Sequence, residues 1–318
     1  ARISTRAAAP SLMDELEAAV MVPSFLNAGL SEVTLSSLTL PGPSSTETTR
    51  SPLRSLTVTG AISLAKAPLS VAALARVTEA MAKPTEDGFV FRVDLNLRPD
   101  GQNGPIVNSL HAAELYYQTF GRSWERNALV KARPGAGDLA VGEELLRALD
   151  PFIWRRSLDL TVVQEIQAMK ARIDARAGAE GKADLKLGKG GIREAEFFVS
   201  ALPLLHGGRE EARALRERAV LPALDRLLFA GVVPAKDRDE LADAYLFLRR
   251  AEHRVQMLDG SQTHRLPPAG ERLWLARAMG YETEDAFEAA LSAHRERVAH
   301  LFGGLLGTGQ GEVPLDPD

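Results

Sequence analysis

Arg92, Asp94, Asn96 and Arg98 alternate with Phe91, Val93, Leu95 and Leu97. This alternation predicts a strand over Phe89 to Arg98 with one apolar and one polar face. At ~3.3 Å per residue, Arg92 and Arg98 lie roughly 20 Å apart along it. A carboxylate flanked by arginines can hold a metal ion and a phosphate side by side. An antiparallel edge strand with one wet face would give the same pattern, and on pattern alone that reading is the commoner one. Pro99 and the Gly101, Gly104, Pro105 cluster end the element.

Two further segments carry groups suited to phosphate. Lys131 and Arg133 follow Trp124-Glu125-Arg126-Asn127, and an arginine can grip phosphate with a bidentate fork. An isolated pair of cations is more often a solvated helix face. In KLGKGGIREAEF, Lys186 to Phe197, the pair Gly190 and Gly191 predicts a turn that opens a helix. Glu194 and Glu196 would then lie in its first turns, where the helix dipole favours acids. Lys186 or Lys189 could hold phosphate there, but capping accounts for the segment equally well. The spacing is not that of a P-loop. The histidines, His111, His206, His253, His264, His294 and His300, show no metal-ligand spacing. Neither a nucleophile elbow nor a dinucleotide-binding fingerprint is present.

The elements that must position these groups change character along the chain. Residues 1–60 are rich in Ser, Thr and Pro past Ser31 and predict loop or disorder, with a short helix near Ser11 to Val22. Leu74, Val77 and Met81 predict a helix, which the turn Pro84 to Gly88 ends. From Asn108 the spacing is helical almost to the end. Val162, Ile166, Met169 and Ile173 form one stripe, capped by Asp159. Pro222 to Ala230 predicts a short helix with Gly231 past its end. Leu241, Ala244, Leu248, Ala251, Val255 and Leu258 predict a longer one, with Asp237 and Glu240 spaced like a capping box before it. Phe287, Leu291, His294, Val298 and Leu301 form a last stripe, which Gly303 and Gly304 stop. The fold class is therefore α+β: a small α/β portion followed by a mainly helical bundle. The strand at Asp94 needs partner strands, and residues 1–60 offer no convincing ones.

Composition narrows the function classes. The chain has 318 residues, 45% apolar and 25% charged, with a net charge of −4. That balance suits a globular core and argues against a nucleic-acid binder, which usually carries a basic stripe. The absence of cysteine excludes thiolate metal sites and a Cys nucleophile. No apolar run approaches the ~18 residues of a membrane helix, and the N-terminus makes a poor signal peptide. A cytoplasmic location fits.

Several segments in order resemble one family. They are PTEDGFVFRVDLNLRPDGQNGP (84–105), YYQTFGRSWERNALVKARPGAGD (116–138), PFIWRR (151–156), KLGKGGIREAEF (186–197) and AYLFLRRAEHRVQ (244–256). Over about Leu74 to Leu306 the chain resembles the bifunctional glutamine synthetase adenylyltransferase/adenylyl-removing enzymes, in their N-terminal, adenylyl-removing half. The resemblance implies a nucleotidyltransferase-type α/β domain over 61–150, incomplete here. A helical bundle over 151–308 and a tail over 309–318 follow. It implies phosphorolysis: phosphate attacks the AMP–tyrosine bond of glutamine synthetase, giving ADP and free tyrosine. Such displacement calls for Mg²⁺ held by carboxylates. By resemblance, Asp94 is a catalytic acid and metal ligand, and Arg92, Arg98, Lys131, Arg133 and Lys186 contact nucleotide or phosphate. Asn96 stands where the family usually has arginine. The implied partners are glutamine synthetase, nucleotide and phosphate, and a nitrogen-signalling protein, with no nucleic acid and no membrane. The family's Ser-Asp-x-Asp pair has no counterpart before the strand, because no Asp lies between Asp14 and Asp87. The sequence therefore predicts weak or absent turnover, and leaves open a non-catalytic module that binds glutamine synthetase or a signalling partner.

Overall fold

A single strand leaves backbone groups unpaired, so the strand at Asp94 requires neighbours. The computed structural model describes residues 19–23, 56–59, 62–65, 71–83, 86, 91–155, 183–206, 211–259 and 263–307, with isolated positions between 164 and 171. Among the described residues helix predominates and strands are few. It forms two units, Ala1–Ile153 and Trp154–Asp318.

The first unit contains β1 (Ala19–Pro23), β2 (Leu56–Thr59), β3 (Ile62–Ala65), α1 (Val71–Ala82), β4 (Phe91–Asp94), β5 (Val107–Ser109), α2 (Leu110–Thr119), α3 (Ser123–Leu129), β6 (Ala132–Ala136) and α4 (Leu139–Ile153). β4 pairs in parallel with β2, with Thr59 opposite Asp94. The other strands form a sheet in the order β5-β3-β1-β6. Its core lies on α2 and α4, where Ala113, Tyr117, Val141, Leu145 and Leu149 are buried.

The partner strands come from unexpected places. β1 and β2 both lie before residue 60, where the sequence predicts none. An apolar run of four or five residues is enough for a strand but too short to show a period of its own. The expected helix near Ser11 to Val22 gives way to β1 at its end, and its first residues lie outside the described ones. β6 is a second correction, since the spacing predicts helix from Asn108 onward. Pairing with β1 outweighs the low strand propensity of Pro134 and Gly135.

β4 is also shorter than the alternation predicts. It stops at Asp94, and Asn96 to Asp100 turn away. Asp94 ends it: Oδ1 accepts the Asn96 N–H at 2.9 Å, an Asx turn. The polar face therefore does not continue to Arg98.

The second unit is helical: α5 (Ile192–His206), α6 (Val220–Phe229), α7 (Ala235–Asp259), α8 (Leu273–Ala278) and α9 (Glu284–Gly307). α5 is buried on nearly every side from Glu194 to Leu204 and forms the centre. α6, α7 and α9 pack around it. Leu241, Ala244, Leu248, Ala251 and Val255 are buried as their spacing predicts, but Leu258 is exposed. Asp237 and Glu240 lie inside α7 rather than before it. Gly303 and Gly304 do not stop α9, which runs to Gly307. Two glycines cost about 1 kcal/mol each relative to alanine, and burying Phe302 just before them and Leu305 just beyond them offsets that. The stripe Val162, Ile166, Met169, Ile173 and its cap Asp159 lie outside the described residues, as do residues 308–318.

The turn before α5 is the tightest junction in this unit. Asp184 Oδ1 accepts from the N–H groups of Lys186 at 2.8 Å and Leu187 at 2.7 Å. Backbone bonds join Leu185 to His264 and Leu266 to Ala183, both at 2.8 Å. Arg295 of α9 donates to the Asp184 carbonyl at 2.5 Å. Gly190 has φ 68°, and a Cβ there would lie 2.0 Å from the Arg295 carbonyl oxygen. Gly190→Ala combines a left-handed backbone with this clash. It should cost at least about 2 kcal/mol, measured as lost stability in chemical denaturation.

α9 meets α7 through aromatic rings. His294 stacks on Phe247 with centroids 4.3 Å apart, and its Nδ1 is buried without a hydrogen-bond partner. Burial, then Arg297, pushes its pKa down, and Asp243 opposes. A depressed folded pKa contributes stability above the unfolded value and loses it as pH falls through the folded value. Tm should fall from about pH 7.5 to about pH 5.5, and fall less in His294→Leu.

Candidate functional site

β4 ends on Asp94 at the mouth of a turn that one arginine holds. Arg98 Nη1 donates to the Leu95 carbonyl at 2.7 Å, and Nε and Nη2 donate to the Gly104 carbonyl, each at 3.2 Å. Backbone bonds Gly101 to Arg98 at 2.9 Å and Asn103 to Asp100 at 3.1 Å close the turn. Asp100 is held at φ 58°, a conformation Asp tolerates better than most residues. A Cβ on Gly104 would meet the Pro99 carbonyl at 1.9 Å. The Arg98 guanidinium thus faces backbone carbonyls of its own turn. Arg92 lies on β4 opposite Thr57, and its side chain is outside the described residues.

The other expected cations of this unit follow α3. Lys131 is buried in the step between α3 and β6, and Arg133 is exposed on β6, donating to the Pro134 carbonyl at 3.4 Å. They do not share a helix face, because α3 ends at Leu129.

Charged groups inside α3 escaped the sequence reading. Glu125 is 4% exposed, and its Oε2 accepts the Arg122 N–H at 2.8 Å, half of a capping box. Tyr116 donates its hydroxyl to Glu125 Oε1 at 3.1 Å. Burial pushes the Glu125 carboxyl up, and the bonds from Arg122 and Tyr116 pull it down. The Tyr116 hydroxyl is likewise raised, by burial and then by Glu125. Arg126 is fully buried, and its Nε and Nη2 reach the Ile153 carbonyl at the end of α4, each at 3.4 Å. Charged residues are normally presumed exposed, which hid these. The Arg122 to Glu125 spacing was the available signal.

Lys186 lies in the second unit, in a different setting. Its surroundings are acidic: Glu252, 2% exposed, interacts with Lys186, and with Glu196 and Asp184. Burial pushes Glu252 up, and Arg249 and Lys186 oppose. Carboxylates around one ammonium repel a phosphate rather than attract it. Glu194, the acid expected in the first turn, is buried. It accepts the Gly190 N–H at 2.9 Å and pairs with Lys170 Nζ at 2.9 Å.

Among the described residues, no group of three or more His, Cys, Asp or Glu could hold a metal ion. Asp94 is a single carboxylate, and one of its oxygens already accepts an N–H. Mg²⁺ takes six oxygen ligands, commonly one or two carboxylates together with water and substrate phosphates. Asp94, at the end of β4, could supply one such carboxylate. No helix among them is long and apolar enough to cross a membrane.

Known proteins match both units. Residues 52–148 match the family model described as glutamate-ammonia ligase adenylyltransferase. Residues 165–306 match the model described as GlnD PII-uridylyltransferase. Three curated relatives carry the name bifunctional glutamine synthetase adenylyltransferase/adenylyl-removing enzyme. The one from Nitrosococcus oceani is 48% identical over 229 residues, 71% of this chain and 23% of its own length. That from Stenotrophomonas maltophilia K279a is 46% identical over 243 residues, 76% of this chain and 26% of its own. That from Xanthobacter autotrophicus is 44% identical over 259 residues, 79% of this chain and 26% of its own.

The chain is a homologue of these enzymes. It spans about a quarter of the length of these curated relatives. The resemblance read from the five ordered segments agrees with this finding. Within the adenylyltransferase match lie Asp94, its Arg98-held turn, and the Tyr116–Glu125–Arg126 cluster.

Arg126→Met leaves the Ile153 carbonyl without its charged donor. It should cost about 2–3 kcal/mol, measured by equilibrium unfolding.

Proposed function

We propose that this chain acts in the control of glutamine synthetase, through the adenylyl-removing reaction of its relatives. A phosphate oxygen attacks the phosphorus of the AMP–tyrosine diester. The phosphorus–tyrosyl oxygen bond breaks, ADP forms, and the tyrosine oxygen takes up a proton. The observation that carries this reading is the match of residues 52–148, which include Asp94, to the adenylyltransferase family model.

In this proposal Lys131 and Arg133 bring positive charge to the nucleotide phosphates, with Arg92 on β4 as a third cation. Arg98 acts from behind by holding the turn that follows Asp94. Asp94 contributes the carboxylate that faces the reacting phosphorus. Mg²⁺, when bound, would neutralise charge on the phosphoryl oxygens. The bundle of the second unit takes part in recognising glutamine synthetase or a nitrogen-signalling protein. The location is cytoplasmic.

One observation favours a second reading, a module that binds without turnover. Asp94 belongs to no group of three or more His, Cys, Asp or Glu among the described residues, and no Ser-Asp-x-Asp precedes β4 in the sequence.

Adenylylated glutamine synthetase tests both. The purified chain should bind it, and ADP release with Mg²⁺ and phosphate should be at least roughly 100-fold below that of a full-length relative. Residual release that disappears in Asp94→Asn supports catalysis. Binding with release no higher than in Asp94→Asn supports the second reading. A chain that neither binds nor releases ADP overturns both.

A further inference from the structure

The turn that Arg98 holds contains the one Asn-Gly pair in the sequence, Asn103–Gly104. Asn103 is exposed and ends the short 3-10 turn Gly101–Asn103. Its N–H is bonded to the Asp100 carbonyl at 3.1 Å. The Gly104 N–H has a single long bond, to the Gly101 carbonyl at 3.3 Å. Glycine is required at this position, because a Cβ there would lie 1.9 Å from the Pro99 carbonyl oxygen. The fold thus demands, after Asn103, the residue whose bare backbone leaves the asparagine side chain most open to attack.

Arg98 brackets the pair. Nη2 donates to the Gln102 carbonyl at 3.4 Å, and Nε and Nη2 donate to the Gly104 carbonyl, each at 3.2 Å. The guanidinium therefore fits one backbone length between residues 102 and 104.

We propose that Asn103 is a site of spontaneous deamidation, and that its isoaspartate product frees the turn from Arg98. The Gly104 nitrogen attacks Asn103 Cγ and closes a five-membered succinimide. The Gly104 proton leaves with the side-chain nitrogen as ammonia. Water then opens the ring. Addition at Cγ gives aspartate. Addition at the backbone carbonyl carbon gives isoaspartate, with the chain rerouted through Cβ and Cγ. Rerouting adds one backbone carbon, about 1.5 Å, between the two carbonyls that Arg98 bridges. The close approach of Gly104 to Pro99 leaves little room to absorb it. The new carboxylate also competes with those carbonyls for the guanidinium.

The folded turn restrains the reaction. Attack requires the Gly104–Gly101 bond to open, so the rate follows local opening of the turn. Asp100–Gly101, in the same turn, offers a carboxylate instead of an amide, which is a poorer electrophile, and its rearrangement leaves the mass unchanged. The proposal goes beyond the adenylyl-removing reading and does not depend on it.

The experiment incubates the full chain at mildly alkaline pH in water enriched in heavy oxygen, and samples are digested for mass spectrometry. Labelled, deamidated peptide should accumulate at Asn103, with isoaspartate exceeding aspartate. Asn96, Asn108 and Asn127, none followed by glycine, should convert at least roughly tenfold more slowly. Arg98→Lys keeps the charge but loses the fork, and should convert at least roughly tenfold faster. Should Arg98→Lys fail to fold, a second measurement replaces it. In urea too dilute to unfold the unsubstituted chain, conversion should rise in step with Gly104 amide exchange. The isoaspartate form, separated by ion exchange, should show Gly101 amide exchange at least roughly tenfold faster, with α4 amides unchanged. Asn103→Gln should gain no label there and keep the slow exchange. Conversion confined to the urea-unfolded chain overturns the proposal. So does conversion that ignores both Arg98→Lys and turn opening. Unchanged Gly101 exchange in the isoaspartate form overturns the release from Arg98.

Discussion

Tight turns expose carbonyl oxygens that need donors, and in the turn after Asp94 one guanidinium supplies them. Arg98 reaches both ends of the loop, at Leu95 and Gly104. That bond set lets β4 stop at Asp94 and places the carboxylate at a strand end rather than within a ladder. Elsewhere in the unit the Tyr116 hydroxyl joins α2 to Glu125 of α3, and Arg126 fastens α3 to the end of α4. An arginine that could have gripped phosphate is thus engaged in holding the backbone.

The second unit follows the same logic with the signs reversed. Its buried charges are mostly acids, and they are held by nearby donors: Asp184 by two amides, Glu194 by Gly190 and Lys170, Glu252 by Arg249. Such arrangements are costly to break and add little over an apolar core. Their effect is to fix one geometry for the turn at Gly190, which the backbone of α9 touches directly. This acidic setting suits a rigid scaffold better than an anion site.

Much of the helical unit was readable from apolar spacing, because each helix buries one stripe and α5 buries nearly all of its surface. Glycine misled at Gly303 and Gly304, where buried Phe302 and Leu305 outweigh local propensity. The strands were harder. β1, β2 and β6 each have four or five residues, too few for a period, and β6 contains Pro134. Alternation around Asp94 located the strand but overran its end, because a side chain bonding its own backbone two residues on leaves no trace in hydropathy. The ordered segments identified the relatives where periodicity could not. They could not show that Arg98 turns inward or that Lys186 lies among carboxylates.

β6 is an edge strand among the described residues, and Pro134 sits in its middle. Proline offers no N–H to a further strand, and the exposed Arg133 beside it brings a charge that a second copy would have to bury. The open side of this sheet is therefore a poor template for pairing with another molecule. The residues that disguised β6 in the sequence also guard the folded chain against edge-to-edge aggregation.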